Sequence, residues 1–318
     1  MSDRYLLILV LYTLASFAAT LAMAEGGVRL GRKQVLRLIA RLKPTDGVLA
    51  HLVLRFLPAV LALVLTSISA VPGYFRGEPM GTHELPGPWL IALALLGLYS
   101  VVVPLSRVAW LSLRTAAKMR TWGQSAVGSD TFSNLQVVEL SIGKPIVVAA
   151  GLVHKKIFLS TFVRSLLSAR ELRAVLRHEA AHCSQNHNLT KLLCALAPRL
   201  MPLASMDESL HETIEFAADD AACGVPGDAL NLASAVVILA RQAAVAPKML
   251  FTAFVDPRHT AMIERRVERL VLPTERRTSE IFSRLAAGCV ALIAVTAAVG
   301  ALPAAQHAFR ETLELLVR

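Results

Sequence analysis

Four apolar windows constrain this chain more than any other feature of its sequence. None of them contains an Asp, Glu, Lys or Arg, and they cover residues 5–24, 56–75, 85–106 and 285–309. A helix needs about 20 apolar residues to cross a bilayer core about 30 Å thick. The chain is also 55% hydrophobic and only 18% charged, whereas soluble domains average about 45–50% and about 25%. These features predict a mainly α integral membrane protein with four transmembrane helices, and they exclude disordered, collagen-like and coiled-coil chains.

The basic residues between the windows predict the orientation in the membrane, because cytoplasmic loops carry an excess of Lys and Arg. The first connection is rich in them, with Arg29, Arg32, Lys33, Arg37, Arg41 and Lys43. The second connection has only Arg76. We therefore predict a multi-pass protein of the inner membrane, with a cytoplasmic segment after the third span and both termini outside. The net charge of +10 then indicates contact with anionic membrane lipids and no direct contact with nucleic acid.

Two features of the N-terminal third allow alternative interpretations. Residues 22–24 (Ala-Met-Ala) resemble the cleavage site of a secretory signal. The apolar run, however, exceeds the usual length of about 7–15 residues, and the residues before it have no net positive charge, which favours a membrane span. In residues 28–42, apolar side chains fall on one helical face between basic ones. This pattern fits a helix lying on an anionic membrane surface, and it fits an ordinary basic loop equally well.

We divide the chain into three parts: residues 1–113 with three transmembrane helices and a basic loop, residues 114–284 as the cytoplasmic domain, and residues 285–318 with the fourth transmembrane helix and a short outer tail. Short β-branched runs at 135–140, 146–148 and 157–159 predict strands. Ser168 and Glu171 have the spacing of a capping box, which predicts a helix over residues 169–186. We therefore expect an α+β domain.

This predicted helix contains the run His178-Glu179-Ala180-Ala181-His182. Residues four apart lie on one face of a helix, so the two imidazoles can bind one zinc ion. The Glu beside the first His is then placed to act as a general base. The alternative is structural, with two exposed histidines beside a solvated Glu.

A catalytic zinc ion needs a third protein ligand. A second helix is predicted over residues 207–223, and its acidic residues share one face: Glu208, Glu212, Glu215 and Asp219. An acidic stripe is commonly a solvated face, but it can also offer a ligand to a cation. The periodicity alone leaves both interpretations open.

Segments 151–160, 171–182 and 215–219 together resemble membrane-embedded zinc peptidases of the BlaR/MecR antirepressor type, over residues 135–270 and the flanking spans. They are similar, more distantly, to the HtpX and CAAX-prenyl-protease types. The resemblance implies a gluzincin-like domain in which His178, His182 and Glu215 bind Zn²⁺. It also implies that Glu179 is the catalytic general base and that Asp219 orients a ligating His. A substrate peptide would add as a strand beside residues 146–150.

The resemblance further implies a zinc-dependent metalloendopeptidase that acts in signal transduction by regulatory proteolysis, with a transcriptional repressor as a candidate substrate. Two alternatives are general quality control of membrane proteins and a non-catalytic signalling or scaffold protein with a vestigial site. Antirepressor members that sense β-lactams carry a large extracellular penicillin-binding domain after the final span, whereas this sequence ends soon after its last apolar window. We therefore expect the signal to come from a separate sensor partner, from the membrane or from the outer loop around residues 77–88.

Other polar residues are weaker candidates. His187 lies nine residues after His178, half a turn around the helix, and is predicted to point away from the metal. His211 precedes Glu215 by four residues and could line the cleft, although a surface position at the start of the helix is favoured. Arg258, His259 and Arg265 are candidates to stabilise an oxyanion, and the sequence does not choose among them.

Overall fold

The computed structural model describes residues 3–77, 86–202, 204–224, 227–242, 252–253, 260–272 and 280–317. Most of these residues are helical. Among the described helices, four are long and apolar enough to cross a membrane, and they cover Asp3–Ile39, Pro44–Arg76, Pro88–Gln124 and Phe282–Gly300. The prediction of four candidate membrane spans is therefore confirmed.

The first helix, α1 (Asp3–Ile39), is longer than predicted. It continues through the basic stretch, so residues 28–39 form neither a separate surface helix nor a loop. At its C-terminal end, Ile39 and the following Leu42 are buried in one cluster with Ala50 of the next helix. This tertiary packing stabilises the extension of the helix, and a pattern within one segment cannot reveal it.

The next two spans pack closely with α1. The second consists of α2 (Pro44–Leu65), a π-helical turn (Thr66–Ala70) and α3 (Val71–Gly77). The third is α4 (Pro88–Gln124). A Cβ atom at Gly97 of α4 would lie 2.3 Å from the carbonyl oxygen of Leu14 in α1. Only glycine therefore permits the close approach of these two helices.

The last span ends earlier than predicted. Helix α11 (Glu280–Gly300) stops at Gly300, and after a turn at residues 301–302 the chain continues as α12 (Pro303–Val317). The Ser69 hydroxyl donates a hydrogen bond to the carbonyl of Gly300 (2.7 Å), and the Tyr12 hydroxyl donates one to Phe309 (2.8 Å). Residues 303–309 therefore pack back on the other helices and do not extend the fourth span. Pro303 explains the break, because proline has no N–H for a continuous helix.

The middle domain contains a mixed sheet of strands β1 (Ala126–Phe132), β2 (Leu135–Leu140), β3 (Val147–Ala150), β4 (Lys156–Ser160) and β5 (Thr252–Ala253). Their order across the sheet is β1-β2-β4-β3-β5. Strands β2 and β4 are parallel, and β3 is antiparallel to β4. The sequence does not predict β1, because this strand is exposed and lacks an alternating apolar pattern.

Strand β3 is not the free sheet edge that the resemblance implies. Val148 pairs with Ala253, and Ala149 pairs with Thr252, both in antiparallel orientation. The expectation that a substrate adds beside residues 146–150 is therefore wrong at these two positions, where the chain itself supplies the neighbouring strand. A short extended segment is enough to cover a sheet edge in this way.

The remaining helices pack on the sheet and on one another: α5 (Thr161–Leu166), α6 (Ala169–Ser184), α7 (His187–Leu196), α8 (Ala204–Ala222), α9 (Asp228–Gln242) and α10 (Thr260–Val271). Ile157 of β4, Val175 of α6 and Leu232 of α9 meet in the core between them. The predicted capping box is present at the start of α6, where Ser168 and Glu171 bond each other's backbone N–H. The cap and the core together fix α6 against the sheet.

Candidate metal centre

The two histidines of helix α6 and the Glu between them point into the protein interior. His178, Glu179 and His182 are at most 1% exposed. The alternative of exposed histidines beside a solvated Glu is therefore wrong. Polar groups buried this completely need partners, and these partners come mainly from α8, α10 and the sheet.

The acidic stripe of α8 divides into two halves. Glu208 is exposed and Glu212 is partly exposed, whereas Glu215 and Asp219 are buried. The first half of the stripe is therefore a solvated face, and the second half faces α6. Periodicity could not separate the halves, because burial of Glu215 and Asp219 depends on the packing of α8 against another part of the chain.

Three of the predicted residues converge on one point. His178 Nε2 lies 2.9 Å from His182 Nε2 and 3.5 Å from Glu215 Oε2, while His182 Nε2 lies 3.7 Å from Glu215 Oε1. Ligands about 2.0–2.1 Å from a tetrahedral zinc ion are about 3.3 Å apart. The observed separations lie on both sides of this value. In the part of the chain that the structure describes, these residues form the one group of three such side chains that could hold a metal ion.

The free lone pairs of the site also fit a cation. Glu179 Oε1 and Glu215 Oε1 are buried and accept no hydrogen bond from any described residue. A buried carboxylate oxygen without a donor is costly unless a cation or another donor compensates for it. Two imidazoles and one carboxylate are a ligand set typical of catalytic zinc, so the residues present fit this ion.

Asp219 lies behind the first His, in the position implied for it. Its Oδ1 is 2.9 Å from His178 Nδ1, so the carboxylate can accept a hydrogen bond from Nδ1–H and orient the ring. Burial alone would lower the pKa of His178, but the contacts with Asp219 and Glu215 raise it to about 9. A metal ion at Nε2 would replace the second proton, which the imidazolium form carries at that nitrogen.

Glu179 is held by the sheet. Its Oε2 accepts a hydrogen bond of 2.5 Å from the backbone N–H of Ala149 in β3. Burial raises the pKa of Glu179 to about 7, against the opposing effect of the His178 charge. A carboxyl group with such a pKa exchanges protons near neutral pH, as a general base must.

Arg266 of α10 is a site residue that the sequence analysis missed. It is fully buried, and its guanidinium contacts Glu215 at 3.0 Å and Asp219 at 2.7 and 2.9 Å. Burial would raise the pKa of Glu215, but Arg266 and His182 hold it well below its usual range. Arg266 thus keeps the third candidate ligand ionised. No local pattern distinguishes it from the other arginines of this basic stretch.

The predicted oxyanion candidates receive no support from the described residues. The side chain of Arg265 is 52% exposed and bonds Glu212. Arg258 and His259 lie outside the described residues. His211 is partly exposed, and its Nδ1 is 4.0 Å from Glu215 Oε1, so it borders the site.

The prediction that His187 points away from the metal is wrong. Its Nδ1 lies 2.7 Å from Nδ1 of His182, and the side chain is buried. The prediction assumed one continuous helix, but α6 ends at Ser184 and Asn186 adopts a left-handed conformation with φ of 55°. This turn brings His187, the first residue of α7, back against His182, at the ring nitrogen that does not face His178.

Comparison with known proteins supports a peptidase. Residues 118–252 match the profile of peptidase family M48. The matched segment contains the residues of the candidate centre from α6 and α8, and it covers less than half of the chain. It therefore supports an M48-type metallopeptidase domain, without separating the antirepressor type from the HtpX type. No curated protein matches the chain.

Proposed function

We propose that this protein is a membrane-anchored zinc metalloendopeptidase that hydrolyses peptide bonds of a cytoplasmic or membrane-proximal protein. The observation that carries the proposal is the convergence of His178, His182 and Glu215 beside Glu179, all of them buried. The match to peptidase family M48 over the same residues supports it.

The chemistry that a zinc ion supplies at this ligand set is Lewis acidity, which polarises a peptide carbonyl and lowers the pKa of an attacking water. Glu179 supplies the proton transfer. Because Ala149 fixes Oε2, Oε1 is the atom that takes a proton from the water and delivers it to the leaving amine. In the metal-free protein, burial raises the pKa of this carboxyl to about 7. A cation bound nearby would lower the pKa again and keep the carboxylate in the form that accepts a proton.

Two further groups prepare the ligands for the ion. Asp219 accepts a hydrogen bond from Nδ1–H of His178, which leaves the Nε2 lone pair directed at Glu215 and His182. Arg266 keeps Glu215 ionised. Both effects favour the ligand forms that bind a cation, namely neutral imidazole and carboxylate.

We place the gluzincin-like domain on the cytoplasmic side of the inner membrane, with both termini outside. The C-terminal part of α1 is rich in Lys and Arg, and this supports the orientation because such residues are in excess on the cytoplasmic side. Gly47 of α2 is close to Ile39 of α1, and a Cβ atom added to it would lie 2.9 Å from Thr213 of the site helix α8. The catalytic domain thus packs against the same end of the bundle that carries the basic residues.

Regulatory cleavage is the role that the resemblance to the antirepressor type favours. The substrate would then be a dedicated regulator such as a transcriptional repressor, and a separate sensor partner would supply the signal. Cells that carry the wild type or Glu179→Gln distinguish this role from quality control. A dedicated protease should leave one protein uncleaved in the variant, whereas a quality-control protease should leave many.

The decisive variant for the mechanism is Glu179→Gln, measured in the purified full chain with casein as the probe. It removes the proton acceptor without removing a proposed ligand, so zinc content should stay at the wild-type level while cleavage falls about 10²–10⁴-fold. Glu208→Gln on the exposed part of α8 is the control and should cleave normally. Full activity of Glu179→Gln contradicts the mechanism, and a wild-type protein that binds no zinc favours the scaffold alternative.

A further inference from the structure

We propose that His187 is a positioning residue of the metal centre, which fixes the ring of His182 by accepting a hydrogen bond from its Nδ1. The inference rests on the proposed function insofar as His182 is taken to bind the metal. It assigns a role to a histidine outside the predicted ligand set and explains its burial.

His182 lies between two other imidazoles. Its Nε2 faces Nε2 of His178 at 2.9 Å, and its Nδ1 faces Nδ1 of His187 at 2.7 Å. The rings of His182 and His187 are inclined by 70°, with their centroids 4.9 Å apart. His187 is only 1% exposed, so water cannot readily replace this contact.

The chemistry of a ligating imidazole determines the direction of the hydrogen bond. A neutral ring that binds a metal through Nε2 carries its proton on Nδ1. Nδ1 of His182 is therefore the donor, and Nδ1 of His187 is the acceptor, with its own proton on Nε2. A partner at this position locks both the tautomer and the orientation of the ligand.

The conformation of the turn before α7 holds His187 next to His182. Asn186 has φ of 55° and ψ of 34°, a left-handed conformation that Asn tolerates better than most residues. The Lys155 ammonium donates to the side-chain oxygen of Asn186 at 2.7 Å and to the carbonyl of Cys183 at 2.5 Å. These bonds stabilise the turn after α6 that returns His187 to its neighbour.

The same turn contacts the strand that holds the general base. Asn188 donates a hydrogen bond of 3.1 Å to the carbonyl of Ala149, and the N–H of Ala149 donates to Glu179. The start of α7 therefore sets the position of His182 relative to β3. His187 orients the ring of His182, and Asn188 fixes strand β3 through the carbonyl of Ala149.

The two proposed histidine ligands differ in their supporting partner. His178 faces the carboxylate of Asp219, whereas His182 faces a neutral imidazole. A carboxylate acceptor increases the basicity of the ligand, while an imidazole acceptor orients the ring without adding negative charge. This arrangement supports both ligands while it limits the number of buried anions.

The test compares three substitutions of His187 in the purified full-length protein. His187→Leu removes the acceptor. His187→Asn keeps an acceptor oxygen near the position of Nδ1, and His187→Gln places its amide near Nε2. His154→Leu on the exposed β3–β4 connection is the matched control. The measurements are Zn²⁺ affinity by chelator competition and the visible absorption spectrum of the Co²⁺-substituted protein.

We expect His187→Leu and His187→Gln to weaken Zn²⁺ binding about 10–100-fold and to alter the Co²⁺ spectrum. His187→Asn should recover most of the affinity, and His154→Leu should match the wild type. Should His187→Leu fail to fold, the comparison of His187→Asn with His187→Gln decides the question. Equal affinities for these two variants, or wild-type affinity in His187→Leu, would overturn the role of His187 alone. A wild-type protein without Zn²⁺ affinity would overturn the proposed function as well.

Discussion

Helix α8 contributes polar side chains to two regions that differ in kind. Near its start it contacts the membrane helix α2, and near its end it contacts α6 in the candidate metal centre. In the first region, Arg55 Nη2 pairs with Asp207 Oδ1 at 3.0 Å, and Nε of Arg55 donates to the carbonyl of Cys194 at 3.2 Å. In the same region, His51 Nε2 lies 3.2 Å from the Ser209 hydroxyl. These groups serve as partners for one another.

In the second region, the buried groups leave lone pairs directed at a shared point. Glu179 Oε1 and Glu215 Oε1 accept no hydrogen bond from the described residues, although charged and polar partners surround both side chains. Paired polar groups indicate a structural contact, whereas convergent and uncompensated lone pairs indicate a ligand. Ser205 Oγ near the start of α8 is also buried without a described partner. The convergence of the lone pairs on one point, and not the lack of a partner alone, therefore assigns chemistry to the second region and anchoring to the first.

The largest expected effect is that of Arg266→Met on stability. The substitution leaves the ionised Glu215 and Asp219 buried without their cation, which typically costs about 3–5 kcal/mol. Thermal denaturation of the metal-free protein in detergent should show a large fall in the apparent Tm, and added Zn²⁺ should recover part of it. Arg265→Met, at an exposed ion pair, should cost about 1 kcal/mol or less. Equal effects of the two substitutions would contradict the assignment of Arg266 to the site.

Asp219→Asn should weaken metal binding and also lower stability, because Arg266 loses the charge of one of its two buried carboxylate partners. The amide keeps the size of the side chain but lacks the charge that supports Nδ1 of His178, so Zn²⁺ affinity should fall about 10–100-fold. Chelator competition measures this change. Asp220→Asn is the adjacent control, because Asp220 is exposed and pairs with Arg269. An unchanged Zn²⁺ affinity in Asp219→Asn would contradict the assignment of the second region of α8 to a metal centre.

Arg55→Met should lower the stability of the protein and leave its Zn²⁺ affinity nearly unchanged. It removes the donor from a buried carbonyl and breaks the pair with Asp207, whose side chain is 50% exposed. The unsatisfied carbonyl should cost about 1–3 kcal/mol of stability. Zn²⁺ affinity should remain within about twofold, because the substitution lies outside the metal centre. A large loss of Zn²⁺ affinity would contradict the assignment of this first region of α8 to anchoring.

Ser168→Ala should have the smallest effect. It removes the hydroxyl that caps the start of α6, and such caps are worth about 0.5–2 kcal/mol. The apparent Tm should fall slightly without a change in the Co²⁺ spectrum, because the core still positions the C-terminal half of α6. Ser165→Ala, which changes a hydroxyl bonded within α5, is the control and should have a smaller effect.

The sequence predicts those parts of the site that depend on local spacing. Residues four apart on α6 share a face, so the pairing of His178 with His182 follows from the helix itself. The capping box at Ser168 is equally local. The assignment of Glu215 needed a family resemblance, because an acidic stripe has the same periodicity whether it faces solvent or a metal.

The remaining features depend on contacts between distant segments. Arg266 enters the site from α10, and nothing in its neighbourhood separates it from Arg265. The position of His187 depends on one left-handed residue, Asn186, which ends a helical pattern that otherwise continues. In the membrane part, the apolar windows predict the spans, but tertiary packing extends α1 to Ile39 and Pro303 separates α12 from the last span.

The most direct test is the zinc content of the purified full chain in three forms: wild type, Glu215→Ala and Glu208→Ala. Glu215 and Glu208 lie on the same helix, but only Glu215 faces the histidines of α6. The account predicts one zinc per chain in the wild type and in Glu208→Ala, and a loss of zinc in Glu215→Ala. Zinc retained equally in Glu215→Ala, or absent from the wild type, would contradict a metal centre shared by α6 and α8.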